Sequence, residues 1–352
     1  MADSSMCADD EAMLTAPSAT EIAPRLRTKV GFWLLIGMTS MAMAEVLSGS
    51  YPLPFVTPAG WLLVLPVYLL HSVLGIWIVQ RFGRVNTATL YLAGMLFGFY
   101  EFYLTKVLWG APWGSPLLVG GIDVVTLVIL AAWWHPLFAF MFPLAISETA
   151  ATSSRTIAPT LPFGLEHPAR RTAVTLLIAV AVVQGTVAPD PAIAAVSTIT
   201  TWGGLAVAFL WWRRSEERMR WSLGDLLPKG RQVAVLIAAT AAVYVFYFLA
   251  FNPNAVPSLG PQVLTWLLYA AVIGLLMGAL QRSRKHQSPP WAGAPDWWPP
   301  PWLPVASIYT TVVIAGAASG AFGLGFALIW IPGSVIGVVL TWRAVRYALG
   351  FG

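Results

Sequence analysis

The sequence predicts an all-α, polytopic integral membrane protein with about ten transmembrane helices and with both termini in the cytoplasm. Composition is the first reason, because 58% of the 352 residues are hydrophobic, only 10% are charged, and the mean hydropathy is +0.72. A soluble domain carries about 25% charged residues. The second reason is the recurrence of long apolar runs, and the third is the placement of lysine and arginine between those runs.

The apolar runs have the length of membrane-spanning helices. A helix needs roughly 20 apolar residues to cross a hydrocarbon core ~30 Å thick. The runs are continuous and rich in Ala, Leu, Val and Gly, whereas the strands of a membrane β-barrel would be alternating segments of about ten residues. The predicted spans are 30–49, 60–81, 88–108, 124–147, 171–188, 191–212, 232–251, 261–281, 303–320 and 326–347.

The cations fix the predicted orientation, because short cytoplasmic loops are enriched in lysine and arginine. With a cytoplasmic N terminus, ten crossings place every lysine and arginine except Lys106 on the cytoplasmic side. The net charge of +5 therefore follows from orientation and gives no reason to expect a nucleic-acid partner. The sequence predicts a multi-pass protein of the cytoplasmic (inner) cell membrane, with the lipid bilayer as its surroundings.

Three regions are predicted along the chain. Residues 1–29 form a disordered cytoplasmic tail, 30–150 a four-helix module, and 151–352 a six-helix module. In the last region, 213–231 mixes cations with tryptophan and leucine, which predicts an amphipathic helix on the inner leaflet. Segment 286–302 is rich in proline and tryptophan and is predicted to be an extended loop anchored at the headgroups.

Two glutamates stand inside the apolar runs. A carboxylate in the bilayer costs at least ~2.5 kcal/mol on insertion scales, so such residues usually face the protein interior and are functional. Glu45 in the first span and Glu101 in the third both lie ~20 Å from the inner boundary at 1.5 Å per residue. Gly94 and Gly98 precede Glu101 on the same helical stripe, which predicts that another helix approaches closely there.

Two histidines complete the predicted site. His71 in the second span and His135 in the fourth lie only ~5 Å below the level of Glu45 and Glu101. All four side chains are expected to converge on one cavity that leans toward the outer side. Such a group could hold a divalent metal, act as general acid and base or relay protons, and the sequence leaves the metal and any cofactor undecided. A structural Glu–His hydrogen bond is the alternative without chemistry.

Two prolines in the fourth span bear on the same site. Pro136 and Pro143 remove backbone donors, which frees the carbonyls of Ala132 and Ala139 and tends to kink the helix. These carbonyls are predicted to serve as extra oxygen ligands in the cavity.

Two further residues are candidates for substrate binding, and one more acidic residue lies near the opposite membrane boundary. Lys106 would contact an anionic head group, with extension to the outer headgroups as the alternative. Asp123 stands where the fourth span begins, and an N-cap is its alternative role. Glu148 is expected to be solvated at the cytoplasmic end of the fourth span.

The leading hypothesis is a membrane-embedded enzyme that acts on a lipid-phase or amphiphilic substrate by acid–base or metal-assisted chemistry. The first alternative is a proton-coupled transporter with Glu45 or Glu101 as the protonation site. The second is a non-catalytic membrane scaffold in which the glutamates make packing hydrogen bonds. The sequence does not decide the substrate or the oligomeric state.

Overall fold

Long helices dominate the protein. The computed structural model describes residues 23–110, 117–162, 168–285, 300–321 and 324–351. The long helices in these ranges are α1 (Leu26–Val46), α2 (Gly60–Phe82), α3 (Thr87–Gly98), α4 (Val124–Ala151), α5 (Arg170–Val187), α6 (Pro191–Arg213), α7 (Arg231–Ala250), α8 (Leu259–Ser283), α9 (Trp302–Ala318) and α10 (Leu324–Leu349).

The predicted all-α membrane class is confirmed. In the part of the chain that the structure describes, seven helices are long and apolar enough to cross a membrane, namely α1, α2 and α4 to α8. The helix α9 is a shorter apolar helix. The number of ten crossings stays a prediction. A short β-hairpin, whose two strands are Leu118–Val119 and Ile122–Asp123, leads into α4.

Glycines set the closest helix contact in the first module. A Cβ atom at Gly94 would lie 2.6 Å from the Cα atom of Pro136, and one at Gly98 would lie 3.0 Å from the Cα atom of Ala131. Only glycine therefore allows α3 to approach α4 this closely. The expectation that the stripe before Glu101 faces another helix is thus confirmed.

Widened helical turns occur at each of three predicted site residues. The last turn of α1, Ala42–Val46, contains Glu45, and the turn Glu101–Thr105 follows α3. Segment Val128–Met141 of α4 has the same π-helical hydrogen bonding and contains His135. Single π turns recur at functional sites because they re-aim side chains out of the regular helical register.

The two carbonyls that the prolines of α4 are predicted to free belong to Ala132 and Ala139, which do not line the cavity. The Tyr91 hydroxyl donates to the Ala132 carbonyl at 2.6 Å, and the Ser40 hydroxyl donates to the Ala139 carbonyl. Hydroxyls of neighbouring helices thus occupy both of these buried carbonyls. The prediction that these carbonyls act as extra oxygen ligands is therefore wrong.

Most of the helices α5 to α10 pack against the first module, while α9 packs on α5 and α6. Among them, α7 packs on α2, α8 on α3, and α10 on α4. A satellite cluster joins α5, α6 and α9, where Gln184 donates to Thr198 and accepts from Trp202 and Tyr309. The polar groups of this cluster are uncharged.

Segment 213–231 differs from its prediction as one amphipathic helix on the inner leaflet. It forms two single turns, Glu216–Met219 and Leu223–Leu226, and the second buries both of its leucines completely or nearly so. The Trp33 indole donates to the Leu226 carbonyl at 2.8 Å, and the Lys29 ammonium donates to the Leu227 carbonyl at 3.0 Å. The two leucines of this turn therefore pack against the first part of α1. Most of 286–302 and residues 1–22 of the predicted tail lie outside the described residues.

Candidate functional site

A cavity of about 640 Å³ lies among α1 to α4 at the end of the bundle where the α1–α2 and α5–α6 loops meet. Both loops lack lysine and arginine. Ser50 and Pro189, at the mouth, are exposed. Three of the four predicted catalytic side chains line the cavity, and two tyrosines line it with them: Glu45, Tyr68, Tyr100, Glu101 and His135.

Glu101 and His135 form a buried pair. The Nε2 atom of His135 lies 3.2 Å from Oε1 of Glu101, and these residues are only 2% and 7% exposed. The Thr105 hydroxyl donates to the other carboxylate oxygen. The Nδ1 atom of His135 lies 3.0 Å from the Leu130 carbonyl, which can only accept, so Nδ1 carries a hydrogen. The protonation state of His135 therefore changes at Nε2, beside Glu101.

Glu45 occupies the mouth side of the cavity. The Tyr68 hydroxyl donates to Oε1 of Glu45 at 2.6 Å, and the Ser50 hydroxyl donates to Oε2. Both carboxylate oxygens thus have a hydroxyl donor, which lowers the cost of holding this group away from bulk water. The widened turn Ala42–Val46 aims the side chain at these donors.

Two tyrosines connect the acids. The hydroxyls of Tyr68 and Tyr100 lie 3.1 Å apart, and the Tyr100 hydroxyl lies 3.1 Å from Nε2 of His135. A continuous path of hydrogen-bonding atoms therefore runs from Glu45 to Glu101. Sequence reasoning missed both tyrosines as site residues. The available signal was that a buried tyrosine hydroxyl requires a partner, and Tyr100 directly precedes Glu101.

His71 lies beside the cavity and does not line it. Its Nδ1 atom is 2.7 Å from the Val67 carbonyl, and its Nε2 atom is 3.1 Å from the Tyr244 hydroxyl. The ring stacks on Phe97 with a centroid distance of 4.9 Å. Its nitrogens are thus occupied by partners other than the two glutamates, because the ring is turned toward α7. The geometry favours a structural role.

Lys106 is directed into the protein. It is 1% exposed, and its ammonium donates to the carbonyls of Tyr247, Phe248 and Phe251 at the end of α7. Its positive φ of 63° ends the turn Glu101–Thr105 and re-aims the chain. Lys106 takes this position because unpaired carbonyls at a helix end attract a cation. The arrangement differs from the expected contact with an anionic head group.

The remaining acidic residues have structural partners. Asp123 is fully buried, caps α4 by accepting from the backbone amides of Val125 and Thr126, and does not line the cavity. Glu148 is also fully buried, which corrects the expectation of a solvated end. Its carboxylate accepts from the loop that follows α4, namely from the Ser154 hydroxyl at 3.1 Å, the Thr156 amide at 2.8 Å, the Thr156 hydroxyl at 2.6 Å and the Ile157 amide at 2.7 Å.

The chemistry of the site is that of acids and bases. Within the described ranges, no group of three or more His, Cys, Asp and Glu side chains is placed to hold a metal ion. No lysine or arginine of the described residues lines the cavity. Two carboxylates and one imidazole therefore set its charge, and all three can give or take a proton.

Comparisons with known proteins identify the family. A sequence model described as an uncharacterized membrane protein family matches residues 34–348, a range that includes every residue of the cavity named above. The chain is also similar to an uncharacterized protein of Archaeoglobus fulgidus, with 35% identity over 252 residues that cover 71% of this chain and 78% of the relative. No solved structure matches the chain. The family match, together with the apolar helices, shows that this chain belongs to that family of multi-pass membrane proteins.

Proposed function

We propose that this protein is an enzyme of the cytoplasmic membrane that performs acid–base chemistry on the polar head of an amphiphilic substrate. One observation carries the proposal: the Glu101–His135 pair, 3.2 Å apart, lines the same open cavity as a second carboxylate, Glu45. A carboxylate and an imidazole in contact can exchange a proton. The second carboxylate supplies the complementary acid or base.

The lining of the cavity indicates the class of substrate. Trp134, Val187 and Trp330 give apolar walls on which the body of an amphiphile can pack. No cation among the described lining residues could neutralise an anionic head, and burying one beside two carboxylates is costly. The head group is therefore neutral or cationic, such as an alcohol or an amine. This replaces the expectation of an anionic head group held by Lys106.

A proton-coupled transporter is the second candidate. The buried hydroxyls of Ser40 and Ser72 lie 3.3 Å apart, and Ser40 precedes Glu45 by about 7 Å of helix. They provide one polar contact deeper in the bundle. A transporter needs a polar path to both sides, however, and Glu148 at the other end of α4 already has four donors. This favours the enzyme.

The test compares membranes of the native host. A strain that lacks this chain is complemented with wild type, with Glu101→Gln or with the control Glu217→Gln, an exposed glutamate outside the cavity. Untargeted mass spectrometry then compares lipids and small amphiphiles at equal protein level. We expect at least one species whose formation or loss depends on wild type, with its rate about 10²-fold lower in Glu101→Gln. Glu217→Gln should match wild type.

Identical profiles in all four strains would contradict the enzyme. Proteoliposomes of the purified protein then separate the alternatives: proton uptake that depends on Glu101 would identify a transporter. Absence of proton uptake, with normal folding of Glu101→Gln, would leave the non-catalytic scaffold as the remaining hypothesis.

A further inference from the structure

We infer that Tyr68 and Tyr100 relay a proton between His135 and Glu45. The path is direct: 3.1 Å from His135 Nε2 to the Tyr100 hydroxyl, 3.1 Å from there to the Tyr68 hydroxyl, and 2.6 Å from there to Glu45 Oε1. The role of the relay in catalysis rests on the proposed function, but the relay itself belongs to the resting protein.

The hydrogen count allows two arrangements of this path. The Leu130 carbonyl holds a hydrogen on Nδ1 of His135, so only Nε2 changes its protonation. Each tyrosine has one hydroxyl hydrogen and two partners on the path. The hydrogens must therefore all point toward Glu45 or all point toward His135.

One concerted transfer interconverts the arrangements. In the first, His135 is an imidazolium and Glu45 a carboxylate, and Tyr100 donates to Tyr68, which donates to Glu45. The proton on Nε2 passes to the Tyr100 oxygen, the Tyr100 hydrogen passes to the Tyr68 oxygen, and the Tyr68 hydrogen passes to Glu45. The products are neutral His135, protonated Glu45 and two unchanged tyrosines. The net charge of the cluster is the same before and after.

Burial favours the tyrosines as the path. Tyr68, Tyr100 and His135 are 2%, 4% and 2% exposed, so the links between them are well shielded from the protein surface. A hydrogen-bonded chain in a site of low dielectric is also mutually polarised.

The transfer changes the chemistry of both glutamates at once. When His135 loses the proton, Glu101 keeps only Thr105 as a donor and becomes a better base toward the cavity. Glu45 gains a proton at the mouth, where it can serve as the acid. Tyr68 and Tyr100 act through Glu45 and His135 and are therefore positioning residues.

The relay is tested by a double-mutant cycle on the purified protein in nanodiscs. The protein carries ¹⁵N-labelled histidine, and NMR at one pH measures the ratio of protonated to unprotonated Nε2 in His135, assigned with His135→Gln. The ratio is compared for wild type, Glu45→Gln, Tyr68→Phe and the double variant. Tyr103→Phe is the matched control, because Tyr103 lies on the turn that contains Glu101, its hydroxyl accepts from Trp266, and it does not line the cavity.

We expect Glu45→Gln to lower the ratio about tenfold in the wild-type background, as the loss of a charge-assisted hydrogen bond would. In the Tyr68→Phe background the same substitution should leave the ratio nearly unchanged, and Tyr103→Phe should behave as wild type. An equal effect of Glu45→Gln in both backgrounds would overturn the relay and indicate through-space coupling. Tyr100→Phe breaks the next link and provides a second, independent cycle if Tyr68→Phe does not fold.

The two proposals fail separately. If the cycle shows no coupling while Glu101→Gln still abolishes the product in the native host, the relay is wrong and the enzyme stands. If the cycle shows coupling and no product depends on Glu101, the relay belongs to a protein with another function.

Discussion

The first four helices and the remaining six differ in how far the protein buries them. In α1 and α4, 67% and 72% of the residues in the most apolar window are buried in the protein, against 11% in α7. Every ionisable residue of the cavity comes from the buried group. The exposed group supplies apolar walls of the cavity, such as Val187 and Trp330, and hydroxyl partners for the first module, such as the Tyr244 hydroxyl that holds His71.

This contrast shows where a bilayer protein can hold charge. A carboxylate surrounded by packed helices finds hydroxyl donors, as Glu45 and Glu101 do. A helix that faces lipid offers no such partners, so its polar groups are neutral or absent. The three predictions that follow test this contrast from the largest expected effect to the smallest.

The largest effect is expected from adding one methyl group to the α3–α4 contact. In Gly94→Ala, the new Cβ would lie 2.6 Å from the backbone of Pro136, so the helices must separate. We expect a loss of about 3 kcal/mol in the free energy of unfolding, measured by denaturation in detergent micelles.

The matched control is Gly274→Ala in α8, where an added Cβ meets nothing within 4 Å. It should be neutral or slightly stabilising, because alanine has the higher helix propensity. Equal destabilisation by both substitutions would break the distinction between a tightly packed first module and a loose outer group.

A smaller effect is expected at the other end of α4. In Glu148→Gln, the new NH2 group must face either the Ile157 amide or the Thr156 amide, which now donate to the two carboxylate oxygens at 2.7 Å and 2.8 Å. We expect stability to fall by about 2 kcal/mol in thermal unfolding, while the Glu101-dependent product is still formed.

Glu217→Gln is again the control, since that side chain is exposed and its replacement should change neither quantity. If Glu148→Gln kept full stability and lost the product, this end of the bundle would belong to the working site. The transporter would then be favoured over the enzyme.

The smallest effect is expected at the link between the first module and α7. Lys106→Met removes the ammonium that donates to three carbonyls at the end of α7. The loss in the free energy of unfolding should be about 1 kcal/mol, as for a cation at a helix C terminus. Hydrogen exchange should become faster in the last turn of α7.

Lys285→Met, at an exposed lysine beyond α8, should leave the exchange in α7 unchanged. If Lys106→Met left hydrogen exchange in α7 unchanged and weakened the binding of anionic lipid vesicles, the contact with an anionic head group predicted from the sequence would be restored.

The sequence by itself determined the class of protein, the approximate positions of the long helices and the side of α3 that packs, although α3 ends at Gly98 and not near 108 as predicted. It also predicted that Glu45, Glu101, His71 and His135 converge on one cavity, which three of the four line. These features depend on hydropathy and helical periodicity, which are properties of neighbouring residues. Gly94 and Gly98 could be interpreted from their spacing because the close contact needs only a lack of side chain, whatever the partner.

Only the tertiary structure decided which polar atoms meet. His71 turns to Tyr244, which is 173 residues away along the chain, and Lys106 turns to α7. The Ala132 and Ala139 carbonyls are taken by hydroxyls of other helices. A buried polar group takes whichever partner the packed helices bring within about 3 Å, and no local pattern records that choice. For the same reason, only the assembled helices show which partners the tyrosines between Glu45 and His135 take.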